Sequence, residues 1–171
     1  MINKKVIKEE LDDSIYVEDG MNKLGENYIY VTLGDKLKVY DTPVLDPKCD
    51  NQFKEIEIPD EGLILEPNKL YLGRTNEYTR TNNYVPLLSG LPKLATLGVE
   101  IHITAGFGDN GFEGTWTLEI LCANPTILYK GMKIGKLYYS PLIGDGSIKY
   151  RGKYYKQIDA TESRLSREYN K

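Results

Sequence analysis

The chain of 171 residues is long enough for one domain with a full core, and its net charge of −3 argues against a basic surface built for a DNA or RNA polymer. A mononucleotide needs only a few donors and stays open. With two cysteines and a single histidine, neither a disulfide framework nor the H-x-E plus P-C-x-x-C site of the zinc deaminases can be assembled.

Met1–Asp12 is charged and lacks the apolar core of a secretion signal, and no apolar run is long enough to span a bilayer. A soluble, cytoplasmic protein is expected, with Cys49 and Cys122 as free thiols in a reducing compartment.

In chain order, Asn3 can cap a short helix that carries Val6, Ile7 and Leu11 on one face and ends near Asp12–Asp13. Tyr28–Leu33 and Leu37–Tyr40 flank Gly34-Asp35 and predict a β-hairpin. Thr42–Asn51 reads as a polar loop and Phe53–Ile58 as an alternating strand. Pro59-Asp60-Glu61-Gly62 is a turn, because proline presets φ and glycine permits its reversal. Short strands follow at Leu63–Leu65 and Leu70–Leu72, then a polar stretch over Arg74–Asn83 and a strand at Tyr84–Leu88. Gly90–Ala95 predicts a short helix or tight turn.

Leu94–Tyr139 organises the rest. It holds three β-runs, Val99–Thr104, Thr115–Ala123 and Thr126–Tyr139, the last broken at Gly131. The turn Gly106–Gly114 concentrates Gly, Asp and Asn, so backbone can approach another group closely there. Glu119 is the one acid within the middle run. His102 alternates with Ile101 and Ile103, and is expected to face a neighbour or solvent rather than act as a base. Beyond Tyr139 come the loop Pro141–Ser147, the basic, tyrosine-rich Tyr150–Gln157, and a terminal helix over Thr161–Asn170 with Thr161 as its cap. Many short strands with regular turns and no repeats predict one mainly β domain, residues 1–171, a barrel or sandwich with small helices at its ends.

Several motifs, in order, carry a resemblance. They are Leu97-Gly98, His102-Ile103-Thr104-Ala105, Asp109-x-Gly111-Phe112-x-Gly114, Thr117-Leu118-Glu119 and Leu128-Tyr129-x-Gly131-Met132-Lys133-Ile134-Gly135-x-Leu137. The tail adds Gly152-Lys153-Tyr154-x-x-Gln157 and Ser163-Arg164. Together they resemble the dCTP deaminase branch of the dUTPase superfamily from end to end. The resemblance implies a distorted dUTPase-like β-barrel, assembled as a homotrimer with sites between subunits. It also implies zinc-free chemistry with no cofactor beyond the Mg²⁺ that accompanies a triphosphate. In that family the Glu at position 119 activates a water that attacks C4 of cytosine, and the backbone at Ala105 helps to hold the water. Asp109 contacts the sugar, with Thr104 counted among the ligand contacts. Lys153, Tyr154, Gln157 and Arg164 are groups suited to stacking a base and meeting phosphate.

One loop departs from the family pattern. Where the family reads G-R-S-S-x-x-R, this chain reads Gly90-Leu91-Pro92-Lys93-Leu94-Ala95-Thr96. Leu91 replaces a phosphate-binding Arg, Pro92 the catalytic Ser, and Thr96 the Arg that supports the water; only Lys93 restores a positive charge. Loss of one preorganised donor costs on the order of 10²–10³ in rate. The expectation is therefore a nucleotide binder with impaired catalysis, acting by sequestration in the manner of a phage-encoded sponge for a signalling nucleotide, which would place it in a host cytoplasm. The alternative is an active deaminase giving dUTP and ammonia, with Lys93 or Lys153 replacing the lost cation. The partner is a small nucleotide, with neither a membrane nor a nucleic-acid polymer expected.

Overall fold

The computed structural model describes residues 1–170. The chain opens on α1, Lys4–Glu10, where the side chain of Asn3 accepts from the Val6 amide at 3.1 Å as the cap residue should. Its buried contact is Ile7, and the helix stops at Glu10 with Leu11 as C-cap, short of Asp12–Asp13. Then follow β1 (Ile15–Val17), β2 (Ile29–Thr32), β3 (Lys36–Tyr40), β4 (Phe53–Glu57), β5 (Leu63–Leu65), β6 (Tyr71–Arg74), β7 (Thr79–Thr81) and β8 (Tyr84–Gly90). The single turn α2 (Pro92–Ala95) precedes β9 (Val99–Glu100), β10 (Glu113–Gly114), β11 (Thr117–Cys122), β12 (Thr126–Leu128) and β13 (Lys133–Pro141), and α3 (Ser166–Tyr169) ends the described chain.

The strands pair antiparallel in four sheets, ordered β1-β7-β10, β4-β3-β6-β11-β9, β12-β5 and β2-β13-β8. The mainly β expectation holds, but the pairing among the described residues does not close into one barrel. The hairpin expected at Gly34-Asp35 is absent. β2 pairs with β13 and β3 with β4, because the Gly34 amide bonds the Arg74 carbonyl and hands the chain from one sheet to another. Two strands, β1 in a stretch that carried no sequence expectation and β7 in the stretch read only as polar, pair with each other. Three residues each are too few to show a period. The run at Val99–Thr104 is a strand only to Glu100. The terminal helix shrinks to four residues, and Thr161, rather than capping it, donates its hydroxyl to the Asp159 carbonyl. No helix among the described residues is long and apolar enough to cross a membrane.

The core sits between the sheets. Ile29, Val31, Leu33, Leu37, Leu118, Ile120, Leu128, Ile134 and Leu137 are fully buried within it. On β11 burial alternates, Leu118 and Ile120 inward and Thr117 and Glu119 half-exposed on the other face. Sheet periodicity thus puts Glu119 opposite the core with a rigid strand behind it.

Candidate functional site

The face of β11 that carries Glu119 floors a cleft of about 450 Å³. One wall is the segment from His102 to Phe112, and the facing wall is the tail from Tyr150 to Ser163, with Tyr40 and Leu72 between them. Aromatic side chains dominate the lining. Phe112 packs on Trp116 with ring centroids 5.1 Å apart and on Tyr150 at 6.2 Å, while Phe107 is 73% exposed and free to meet a ligand. Such faces suit a flat heterocycle.

The polar groups converge on the floor. Nδ1 of His102 lies 3.0 Å from Oε2 of Glu119. A carboxylate only accepts, so this contact puts the imidazole proton on Nδ1. It leaves Nε2 buried without a hydrogen-bond partner. Gln157 donates through Nε2 to the Thr115 carbonyl at 2.8 Å and to the Thr117 hydroxyl at 3.3 Å, and its Oε1 is buried and unpaired. A bound base can offer an N–H to such an oxygen, and an unmet buried acceptor costs about 1–3 kcal/mol.

The tail wall is stitched down rather than laid on. The Thr115 amide bonds the Gln157 carbonyl at 2.9 Å and the Lys156 amide bonds the Glu113 carbonyl at 2.7 Å. Gly114 makes this approach possible. Its φ is +142°, and a Cβ there would meet the Gln157 carbonyl oxygen at 2.7 Å. Glu113 accepts from the Tyr155 hydroxyl at 2.9 Å and the Tyr78 hydroxyl at 3.0 Å, and Lys156 Nζ stands 3.8 Å away. Burial works to raise the Glu113 pKa, but those two hydroxyls and the charges of Lys156 and Arg80 outweigh it and hold the carboxyl below the usual range. Burial and the adjacent Glu113 push Tyr78 up to about 12. The described chain ends against the loop before β4, where Ser166 donates to Asp50 and Asn170 to the Lys48 carbonyl.

Of the residues expected from sequence, Glu119, Ala105, Asp109, Tyr154 and Gln157 line the cleft together. Lys93, Thr104, Lys153 and Arg164 do not. Lys93 is exposed on α2, away from the cleft of its own chain. Thr104 is exposed with φ +104°, a strained setting for a β-branched residue directly before Ala105. Lys153 is paired with Glu168, and Arg164 lies over the Tyr154 ring at 5.6 Å and donates to the Lys153 carbonyl. Sequence reasoning expected His102 on a strand, facing a neighbour or solvent; it does face a neighbour, Glu119, but from outside any strand. Strand alternation misleads there because the strand stops at Glu100, and the irregular segment swings the imidazole onto Glu119. The aromatic wall was missed: Phe107, Phe112 and Trp116 come from three different local settings that only the fold joins.

In the departing loop, Leu91 is 2% exposed and Leu94 6%, both within the core cluster. Pro92, at the first position of α2, and Thr96 are exposed. None of Leu91 to Thr96 lines the cleft, and the cleft lining contains no Lys or Arg. Among the described residues no group of three or more His, Cys, Asp or Glu is placed to hold a metal ion.

A family model described as dCTP deaminase-like matches residues 1–142. A protein of Clostridium acetobutylicum named dCTP deaminase, dUMP-forming, is 44% identical over 170 residues, covering 99% of this chain and 98% of its own. One of the same name from Cytophaga hutchinsonii is 42% identical over 166 residues, 96% of each chain. Among solved structures, the 2′-deoxycytidine 5′-triphosphate deaminase of Agrobacterium tumefaciens superposes with a TM-score of 0.64 over 81% of this chain. The match spans 46% of that longer chain at 13% identity, which speaks to the fold alone.

Proposed function

The chain belongs to the dCTP deaminase-like family, and from that premise we propose that it binds a cytosine deoxynucleotide in the Glu119 cleft and holds it with little or no turnover. The base stacks among the aromatic side chains, its exocyclic amine donating to the free Oε1 of Glu119 or to Oε1 of Gln157. Asp109 meets the sugar. Held this way, the nucleotide is sequestered rather than converted.

The observation that carries this reading is Leu91. At 2% exposure it is a core residue, where the family pattern puts a phosphate-binding Arg. Pro92 beside it has neither a hydroxyl nor an amide N–H to offer a reacting carbonyl or water. Lys93 and the rest of α2 stand away from the cleft of their own chain. Assembly as a homotrimer brings the α2 of one copy to the cleft of another, and light scattering reads that mass directly.

A second reading is favoured by the Glu119–His102 contact. With Oε2 held at 3.0 Å by His102, Oε1 is oriented to take a proton from a water attacking C4, which expels the exocyclic amine as ammonia and leaves the uracil deoxynucleotide. Incubation of dCTP with protein at high concentration separates the two. Intact nucleotide recovered with the protein supports binding. Stoichiometric release of ammonia with dUTP or dUMP, abolished by Glu119→Gln, supports deamination and overturns the first reading.

A further inference from the structure

One hydroxyl behind the cleft is bonded to both of its walls. Thr79 is 3% exposed and does not line the cleft. Its Oγ1 accepts from Nε1 of Trp116 at 3.1 Å and donates to the Gly114 carbonyl at 3.0 Å. A hydroxyl carries one proton and two lone pairs, so both bonds form together. Trp116 leads to the aromatic wall. Its ring packs on Phe112 with centroids 5.1 Å apart, and its outer edge takes the space beside Gly108, where a Cβ would stand 2.6 Å from Cη2. The main chain of Trp116 is fastened separately. Its amide donates to the Thr75 hydroxyl at 3.0 Å and its carbonyl accepts from the Thr75 amide at 2.9 Å. The polar bond that fixes the ring itself is the one to Thr79.

Gly114 leads to the tail wall. It pairs with Thr79 across β10 and β7 and bridges to Gln157 on its other side. Gln157 in turn donates from Nε2 to the Thr115 carbonyl at 2.8 Å, and its Oε1 is the buried acceptor without a partner. The stacking wall and the hydrogen-bonding wall therefore meet at one side chain. Thr81 supplies a contrast on the same strand. It is 2% exposed, it shares the face of Thr79, and its hydroxyl has no partner. Burial on β7 does not by itself engage a threonine hydroxyl.

We propose that Thr79 is a positioning residue of this site: its hydroxyl sets the Trp116–Phe112 wall against the Gln157 wall, and so the width of the slot that takes the base. This rests on the cytosine deoxynucleotide reading above. Thr79 meets no ligand and acts through Trp116 and Gly114. Thr79→Val keeps the branched shape and leaves the indole N–H and the Gly114 carbonyl unmet, whereas Thr79→Ser keeps the hydroxyl.

The test joins two readouts, taken where urea unfolding shows each variant folded. Acrylamide quenching of Trp116, the one tryptophan of the chain, reports the seat of the indole without any ligand. Calorimetric titration with dCTP and Mg²⁺ reports the slot. Trp116 is 6% exposed, so wild type is expected to quench weakly. Thr79→Val is expected to raise the quenching constant and to weaken dCTP binding about tenfold. Thr79→Ser is expected to restore both, and Thr81→Val to match wild type in both. If folded Thr79→Val binds dCTP as wild type does, the hydroxyl serves stability alone and the proposal is overturned. If wild type binds no dCTP, the nucleotide reading falls, and the quenching contrast between Thr79→Val and Thr81→Val decides whether Thr79 seats the indole. Should Thr79→Val not fold, Trp116→Phe takes its place, since it removes the N–H and keeps the bond to Gly114. A loss of affinity there supports the proposal and wild-type affinity overturns it.

Discussion

His102 and Glu119, seventeen positions apart, meet at 3.0 Å on the floor of the cleft. The histidine fixes one carboxylate oxygen and leaves the other for a ligand, so Glu119 is held in one orientation before anything binds. Its strand supplies the rest of the rigidity through Leu118 and Ile120, both fully buried.

Glu119→Gln is expected to weaken cytosine deoxynucleotide binding about tenfold, the worth of one charge-assisted hydrogen bond. The same change should move the unfolding midpoint little, because the side chain is half-exposed. His102→Phe is expected to produce a smaller loss, since it frees the carboxylate without removing it. Calorimetric titration of both variants checks the order.

Restoring the family loop residue by residue should fail at its first position. Leu91→Arg drives a guanidinium into the core and is expected to cost about 4 kcal/mol or more. Pro92→Ser and Thr96→Arg, at exposed positions, are expected to stay within about 1 kcal/mol. Urea unfolding of the three single variants measures the contrast.

The Glu113 clasp predicts a two-sided pH dependence. Its carboxyl titrates below its ordinary value in the folded chain. It therefore contributes stability above that value, which is lost as pH falls through the folded pKa. Tyr78 runs the other way. Raised from 10.0 to about 12, its contribution is complete below pH 10 and is lost as pH rises through about 12. Unfolding midpoints measured across pH should decline at both ends, and Glu113→Gln should flatten the acid limb.

Glu77 is a buried carboxylate that does not line the cleft. Its side chain is 0% exposed, lies 2.9 Å from Lys23 Nζ and accepts from the amide and hydroxyl of Thr32 at 2.8 and 2.7 Å. Lys23→Met strands that charge and is expected to cost about 3 kcal/mol. Adding Glu77→Gln to Lys23→Met should return part of the loss, which a double-mutant cycle by urea unfolding measures.

What the sequence made legible was whatever is local. The Asn3 cap, the break at Gly131 and the alternation along Thr117–Cys122 each depend on a few neighbouring residues, and each stands in the structure. Glu119, Ala105, Asp109, Tyr154 and Gln157 were found as motif positions, and the cleft gathers them. What was lost depends on distant partners. Gly34-Asp35 looks like a hairpin turn until the Arg74 carbonyl claims the Gly34 amide. His102 looks like a strand residue until the strand ends two positions earlier. Lys93 was read from its charge and Arg164 from a motif of the tail, and neither tells which side of a loop faces the cleft.

The tail that walls the cleft has a consequence for how the protein is made. The Ser163 amide donates to the Tyr40 hydroxyl at 3.1 Å, a contact between residues 123 positions apart. A ribosome delivers the chain from its N-terminus. The sheets up to β13 can pair while the last residues are still inside the exit tunnel, but the wall facing His102 cannot. The nascent chain therefore acquires its core first and its cavity last, and competence for a ligand begins only once the tail through Ser163 has emerged.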